Sequence, residues 1–241
     1  MNKYKTILNN IPPSPIVCYD FTNNNSYPTT GTVVTDIFKN SNASLINTPT
    51  YSAFTSGSIY FDGSNEFLIT STSLNSKFAG TSPNKSETTS IFMWVYMMDN
   101  GVILSEQGTS PIPNTGWFES VIERVSGDLK FGFWNGTSIS SVTSSVATSL
   151  NTWYYVGLTY DGSQMKAYIN GSLVGQLSFN RLAPYNGGTN AYYAIASECP
   201  TSMGDGGYAK MYLGRFEIFN YSLSQTQIEY NYIITKGLYG Y

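Results

Sequence analysis

Residues 151–175 read "NTWYYVGLTYDGSQMKAYINGSLVG". Two apolar, aromatic-rich runs flank Asp161-Gly162, and Asn170-Gly171 follows at once. Asp-Gly and Asn-Gly accept the positive φ that tight hairpins require. The stretch therefore predicts neighbouring antiparallel strands, with "SLVGQLSF" as the strand after the second turn.

The same alternation of apolar run and turn extends in both directions. "IVCYDF" (16–21) predicts a first strand, and "TVVTDIF" a short strand or a turn. "GSIYFDGSNEFLITST" (57–72) reads as strand, Asp-Gly turn, strand, which predicts a second hairpin. "SIFMWVYMM" (90–98) is almost continuously apolar and predicts a strand buried on both faces. "GVILSEQG" (101–108) adds another strand, and "GWFESVIERVSGDLKFGFWNG" (116–136) two strands around Ser-Gly-Asp. After a turn-rich region holding "YYAIAS" (192–197), "YAKMYLGRFEIFN" (208–220) gives the last strand. In "SLSQTQIEYNYIIT" the period changes, and Ser222 or Ser224 can cap a short helix carrying Ile228, Tyr232 and Ile233 on one face.

Composition narrows the function classes. The 241 residues are 41% hydrophobic and 15% aromatic but only 11% charged, with a net charge of −3. Aromatics in the runs and Ser, Thr, Asn and Gly between them fit an all-β domain with many loops. There is no basic run, so the electrostatic footprint of a nucleic-acid binder is missing. Histidine is absent, which excludes Ser-His and Cys-His nucleophile systems and His-ligated zinc. Cys18 lies in an apolar run and reads as a buried small hydrophobe, far in sequence from Cys199. No run predicts membrane insertion. "MNKYKTILNNIPPSP" lacks the apolar stretch of a secretory signal, so cytosolic synthesis is expected. The proline-containing residues 1–15 read as an extended arm that packs along an edge strand or on a neighbouring subunit, leaving 16–241 as one domain.

Four segments in order resemble the laminin G-like branch of the concanavalin A-like lectin and glucanase superfamily, of the type found in viral and phage surface proteins. They are "VTDIFKNSNASLIN" with Asp36 and Asn40, "GSIYFDGSNEFLIT", the opening stretch with Tyr154 and Tyr155 where histidine is common, and "YLGRFEIFNYSLSQTQIEYNY". Together they span positions 34 to 232. The resemblance implies a two-sheet antiparallel jelly-roll sandwich with a short C-terminal helix, which stacked sheets with alternating burial also suit.

The fold alone does not set the function. The glucanase branch carries a Glu-x-Asp-x-Glu run on one strand, which "ESVIE" (119–123) echoes with Val121 at the middle position. That missing carboxylate leads us to expect no enzyme. Family members that bind Ca²⁺ do so at the sandwich edge, making Asp205 and Glu198 the candidate metal residues here; no cofactor is otherwise required. Sugars need aromatic faces with polar partners on exposed loops. The segments "SPIPNTGWF" and "APYNGGTNAYY" supply Asn114, Trp117, Tyr185, Asn186, Asn190 and Tyr192 for this. Trp94, Trp153 and Phe131 read as core.

These features lead us to expect a non-enzymatic structural or surface protein of a virion or similar assembly, a decoration, fibre or tail component with glycan-recognition capacity. A free-standing lectin or adhesin is the alternative, and a glycoside hydrolase is disfavoured by Val121. The expected partners are a cell-surface glycan and other assembly subunits met through residues 1–15, and a homo-oligomer is open. The expected location is a virion surface or the extracellular space after release.

Overall fold

The computed structural model describes residues 11–78, 88–108, 118–181, 190–198 and 207–241. Two antiparallel sheets stack face to face as a jelly-roll sandwich. Sheet I is built from β1 (Val17–Asp20), β4 (Thr50–Ser52), β5 (Ser58–Asp62), β7 (Thr89–Met97), β12 (Trp153–Tyr160), β13 (Gln164–Ile169), β14 (Ser172–Ser178) and β16 (Lys210–Phe219). Its order is β14-β13-β12-β7-β16-β5-β4, with β1 also pairing β16. Sheet II takes β2 (Val33–Val34), β3 (Ala43–Ile46), β6 (Phe67–Thr70), β8 (Gly101–Gln107), β9 (Phe118–Val125), β10 (Asp128–Trp134), β11 (Ile139–Thr143) and β15 (Tyr192–Ile195). Its order is β11-β10-β9-β8-β15-β6-β3-β2.

The opening stretch forms β12, β13 and β14, as its turns predict. Asp161 Oδ1 accepts from the backbone N–H groups of Ser163 (2.9 Å) and Gln164 (2.8 Å), closing the first turn. Asn170 and Gly171 hold φ of 50° and 80°, the left-handed pair of a two-residue hairpin. Ser126 and Gly127, at 53° and 99°, do the same between β9 and β10.

The second expected hairpin does not form. β5 belongs to sheet I and β6 to sheet II, so Asp62-Gly63 carries the chain from one layer to the other. Both strands place apolar side chains in the inter-sheet core, Ile59 and Phe61 from one side and Leu68 from the other. Glu66 accepts the Asp62 N–H (2.9 Å) across the corner. Local turn chemistry is the same for a hairpin and for a sheet-to-sheet corner; the partners β16 and β15 decide between them.

β7 is buried on both faces. Ile91, Met93, Val95 and Met97 enter the core between the sheets. Phe92 and Trp94 face the other way, into a second apolar cluster with Trp153, Tyr155, Tyr168, Ile228 and Tyr239. Trp94 and Trp153 are therefore core residues of that outer cluster, whereas Phe131 belongs to the inter-sheet core.

That outer cluster lies beneath helix α1 (Gln225–Thr235). Ser224 caps the helix, with Ser224 N–H donating to Gln227 Oε1 (3.0 Å) and Gln227 N–H to Ser224 Oγ (3.4 Å). Ile228 is buried, but Ile233 is 60% exposed, contrary to its expected place on the packed face. Asn231 and Thr235 take the sheet side instead. Trp94 Nε1–H donates to Thr235 Oγ1 (2.8 Å), a bond that an isoleucine in that place could not accept. The Tyr239 ring then stacks on Trp94 at 4.5 Å and lies against Gly214. Gly214 sits where the β16–β7 register slips between Leu213 and Arg215.

Residues 11–15 of the arm run alongside β16 and α1. Tyr221 Oη–H donates to the Pro13 carbonyl (2.6 Å), and Ile16 N–H donates to Ile218 O (2.7 Å). Cys18 is buried, as expected, and its N–H donates to Asp36. Cys199 lies outside the described residues. No helix among the described residues is long and apolar enough to cross a membrane.

Any Cβ at Gly214 would collide with the Tyr239 ring, whereas one at Gly237 meets nothing. Gly214→Ala is expected to cost about 1–3 kcal/mol by overpacking, and Gly237→Ala to stay within about 0.5 kcal/mol of wild type. Urea denaturation of the two variants measures both.

Candidate functional site

With α1 packed on sheet I, the outer face of sheet II is buried at its centre by Phe67, Ile69 and Ala194 and exposed among the described residues toward its β10–β11 end. Its side chains follow from strand alternation. In β10, Leu129, Phe131 and Phe133 point into the core, so Lys130, Gly132 and Trp134 point outward. Trp134 is half-buried and stands opposite Ile139, which is 40% exposed. Lys130 pairs with Glu123 on the neighbouring strand (2.9 Å). Ser141 and Thr143 oppose Gly132 and Lys130 from β11. An indole on a strand face that carries hydroxyls and an ion pair further along offers the kinds of group that sugar binding uses.

The expected residues fall partly on this same face. Asn114, Trp117, Tyr185 and Asn186 lie outside the described residues. Tyr192 opposes Gln107 in the β15–β8 ladder, and Gln107 opposes Phe118 in β9. Those three strand ends border the segments 109–117 and 182–189, so one rim of sheet II anchors both. Tyr192 packs with Tyr208 over Phe67, Ile69 and Ala194 on the outer face, and Asn190 is exposed just before β15. Trp134 was not among the expected residues. Its signal was present in "LKFGFW", where three inward apolar residues force the tryptophan out.

Glu198 also sits on this face. Ser120 Oγ–H donates to Glu198 Oε1, and Ser105 Oγ–H donates to the Glu198 carbonyl (2.8 Å). Asp205, its expected companion, lies outside the described residues. The described residues hold no group of three or more His, Cys, Asp or Glu side chains that converge as a metal cage would.

The two glutamates of "ESVIE" part company. Glu123 faces out in its ion pair, whereas Glu119 is 3% exposed and faces inward. A bulge where Val121 slips out of the β8–β9 register breaks the period-2 pattern that would have put both on one face. Glu119 opposes Glu106, which takes a charge-assisted bond from the Arg181 guanidinium. That guanidinium also lies 3.8 Å over the Phe133 ring. Burial first, and the Glu106 charge second, push the Glu119 carboxyl up to about 8, against the opposing pull of Arg181 and the Trp134 N–H. A protonated Glu119 thus underlies the strand that presents Trp134.

This group makes stability depend on pH. Between the ordinary carboxyl value of 4.5 and about 8 the folded chain holds a proton that the unfolded chain releases. The stabilisation is full below that window and is lost as pH rises through it, by at most about 1.4 kcal/mol per unit. No histidine titrates in the interval. Thermal melts from about pH 5 to about pH 9 should show wild type losing stability, with Glu119→Gln nearly flat.

Comparison with known proteins agrees with this architecture. A laminin G-like family model described as the concanavalin A-like lectin/glucanases superfamily matches residues 72–229, more than half of the chain. No curated protein matches. Among solved structures, a Trypanosoma rangeli sialidase in complex with 2,3-difluoro-KDN superposes with a TM-score of 0.66 at 13% identity, over 96% of this chain and 34% of that one. The botulinum neurotoxin serotype D binding domain gives 0.65 at 15% identity, over 92% and 51%. A structure of botulinum neurotoxin type C, whose cell entry depends on interaction with two ganglioside molecules, gives 0.62 at 18% identity, over 94% and 52%. The chain thus spans about a third to a half of these proteins. With its fold and its match over residues 72–229, this chain belongs to the laminin G-like branch of the concanavalin A-like lectin/glucanase superfamily.

Proposed function

We propose that the chain is a non-enzymatic glycan-recognition module on the surface of a virion or similar assembly, and that it binds through the outer face of sheet II. The observation that carries this reading is the half-exposed Trp134 opposite Ile139 on the outer face of sheet II, with Ser141, Thr143 and the Lys130–Glu123 ion pair further along the same strands. Asn190 and Tyr192 extend the same face toward the rim from which the segments bearing Asn114, Trp117, Tyr185 and Asn186 depart.

The electrostatics favour a neutral glycan. The chain has three arginines, and each is engaged inside the fold. Arg124 donates to Asn100 (2.7 Å) and Thr148 (2.8 Å), Arg181 to Glu106, and Arg215 to Asp20 (2.6 Å) and Glu217 (2.8 Å). An anionic sugar is best held by the two-pronged fork of an arginine, and these three are spent elsewhere. Binding rather than hydrolysis is favoured because Glu119 and Glu123 face opposite sides of sheet II, so they cannot flank one glycosidic bond. The assembly role is supported by the charge-poor surface and by the resemblance to viral and phage surface proteins; a free-standing lectin shares the same site.

A glycan array with the chain displayed multivalently, with Ca²⁺ and with EDTA, tests the proposal. Avidity can raise a weak signal by about 10²-fold. Selective binding to neutral glycans is expected, and Trp134→Ala should weaken it about tenfold, or ~1.4 kcal/mol, with the thermal midpoint unchanged. Loss of binding in EDTA would place calcium with Glu198 and Asp205. No binding to any glycan, or binding indifferent to Trp134→Ala, would overturn the assignment of this face.

A further inference from the structure

A second concavity lies away from this face, at the side of the sandwich where both sheets end. β4 is the last strand of sheet I and β2 the last strand of sheet II. Between them the loops "YPTTGT" (27–32) and "NTPTY" (47–51) enclose a groove of about 530 Å³. That volume falls in the range of small-molecule sites, ~300–1,000 Å³.

Its lining is divided by polarity. Tyr27, Leu45 and Pro49 are buried and form an apolar floor. The Tyr51 ring, 6.1 Å from that of Tyr27, stands half-buried beside them. The rim is made of the exposed Thr29, Thr30, Thr32, Thr48 and Thr50. Among the described residues, no Asp, Glu, Lys or Arg lines the groove. None of the five threonine side chains hydrogen-bonds to another described residue. An apolar floor under a ring of free hydroxyls matches a pyranose, which presents C–H groups on one side and O–H groups around its edge.

The backbone at the rim is held in an unfavourable form. Thr29 and Thr48 adopt φ of 68° and 67°, a left-handed conformation that β-branched residues rarely take. Gly31 at 95° leaves open space above it. Backbone strain of this kind collects at ligand sites because the surrounding fold must impose it. Here it falls on both loops that face the groove.

We infer that the groove between the β2 and β4 edges is a second binding site, for a neutral saccharide of one or two rings. It does not depend on the Trp134 face, so either site can bind without the other.

The test uses the full chain carrying carbon-13 methyl-labelled threonine, observed by methyl-resolved NMR. It is titrated with glucose, galactose, N-acetylglucosamine and lactose, then with N-acetylneuraminic acid and glucuronate. The expected result is saturable shifts of the Thr29, Thr30, Thr32, Thr48 and Thr50 methyls with at least one neutral sugar and none with the acids. Thr32→Trp, which fills the groove from an exposed position, should weaken that binding about tenfold or more. Trp134→Ala should leave it unchanged, which separates this site from the one on sheet II. Groove methyls that stay still with every neutral sugar, that respond better to the acids, or that respond equally in Thr32→Trp would overturn the inference.

Discussion

The contact between Trp94 and the C-terminal tail organises the molecule. Trp94 lies at the centre of sheet I, paired across β7 with Tyr155 on one side and Arg215 on the other. An indole there, on the outer side of a sheet, needs both an apolar cover and a partner for its N–H. Thr235 supplies the partner and Tyr239 and Tyr232 the cover, with rings at 4.5 and 5.8 Å. The bulge at Gly214 makes room for the Tyr239 ring. Once the tail is seated, the centre of sheet I is buried on both sides, while the β10–β11 end of sheet II keeps side chains toward solvent.

The charges are placed with the same economy. Arg181 and Arg215 neutralise carboxylates within the fold, and Asp36 is wholly buried, accepting the backbone N–H groups of Cys18 (2.9 Å), Phe38 (3.0 Å), Asn40 (2.7 Å) and Ser41 (3.1 Å). The Asp36 and Asn40 landmark is therefore a structural clip that ties β1 to the following loop. With its arginines and several of its acids turned inward, the chain offers largely hydroxyl, amide and aromatic groups to its surroundings. That is a surface suited to uncharged, hydroxyl-bearing ligands.

Much of the fold was legible because its signals are local. The Asp161-Gly162 and Asn170-Gly171 turns, the doubly apolar run of β7 and the Ser224 cap each announce themselves within a few residues. The β5–β6 corner misled because Asp62-Gly63 can end either a hairpin or a change of sheet. The helix face misled at Ile233 because the sheet beneath it demanded a hydroxyl for Trp94. Of the candidate glycan residues, Asn190 and Tyr192 fall at one rim of sheet II, while Trp134 went unread although the alternation of its strand places it outward.

The sequence by itself determined the class: strands from period-2 runs, turns from Gly and Asn, the exclusion of histidine chemistry from composition, and membership in the family from four segments in order. Tertiary structure decided what no local pattern encodes. It settled which of two sheets each strand joins, which sheet face the helix covers, and that Glu119 and Glu123, four residues apart, point to opposite sides. These outcomes depend on contacts between residues far apart in the chain, such as Trp94 with Thr235 and Glu106 with Arg181. Burial of one face, once chosen by such contacts, fixes the exposure of the other.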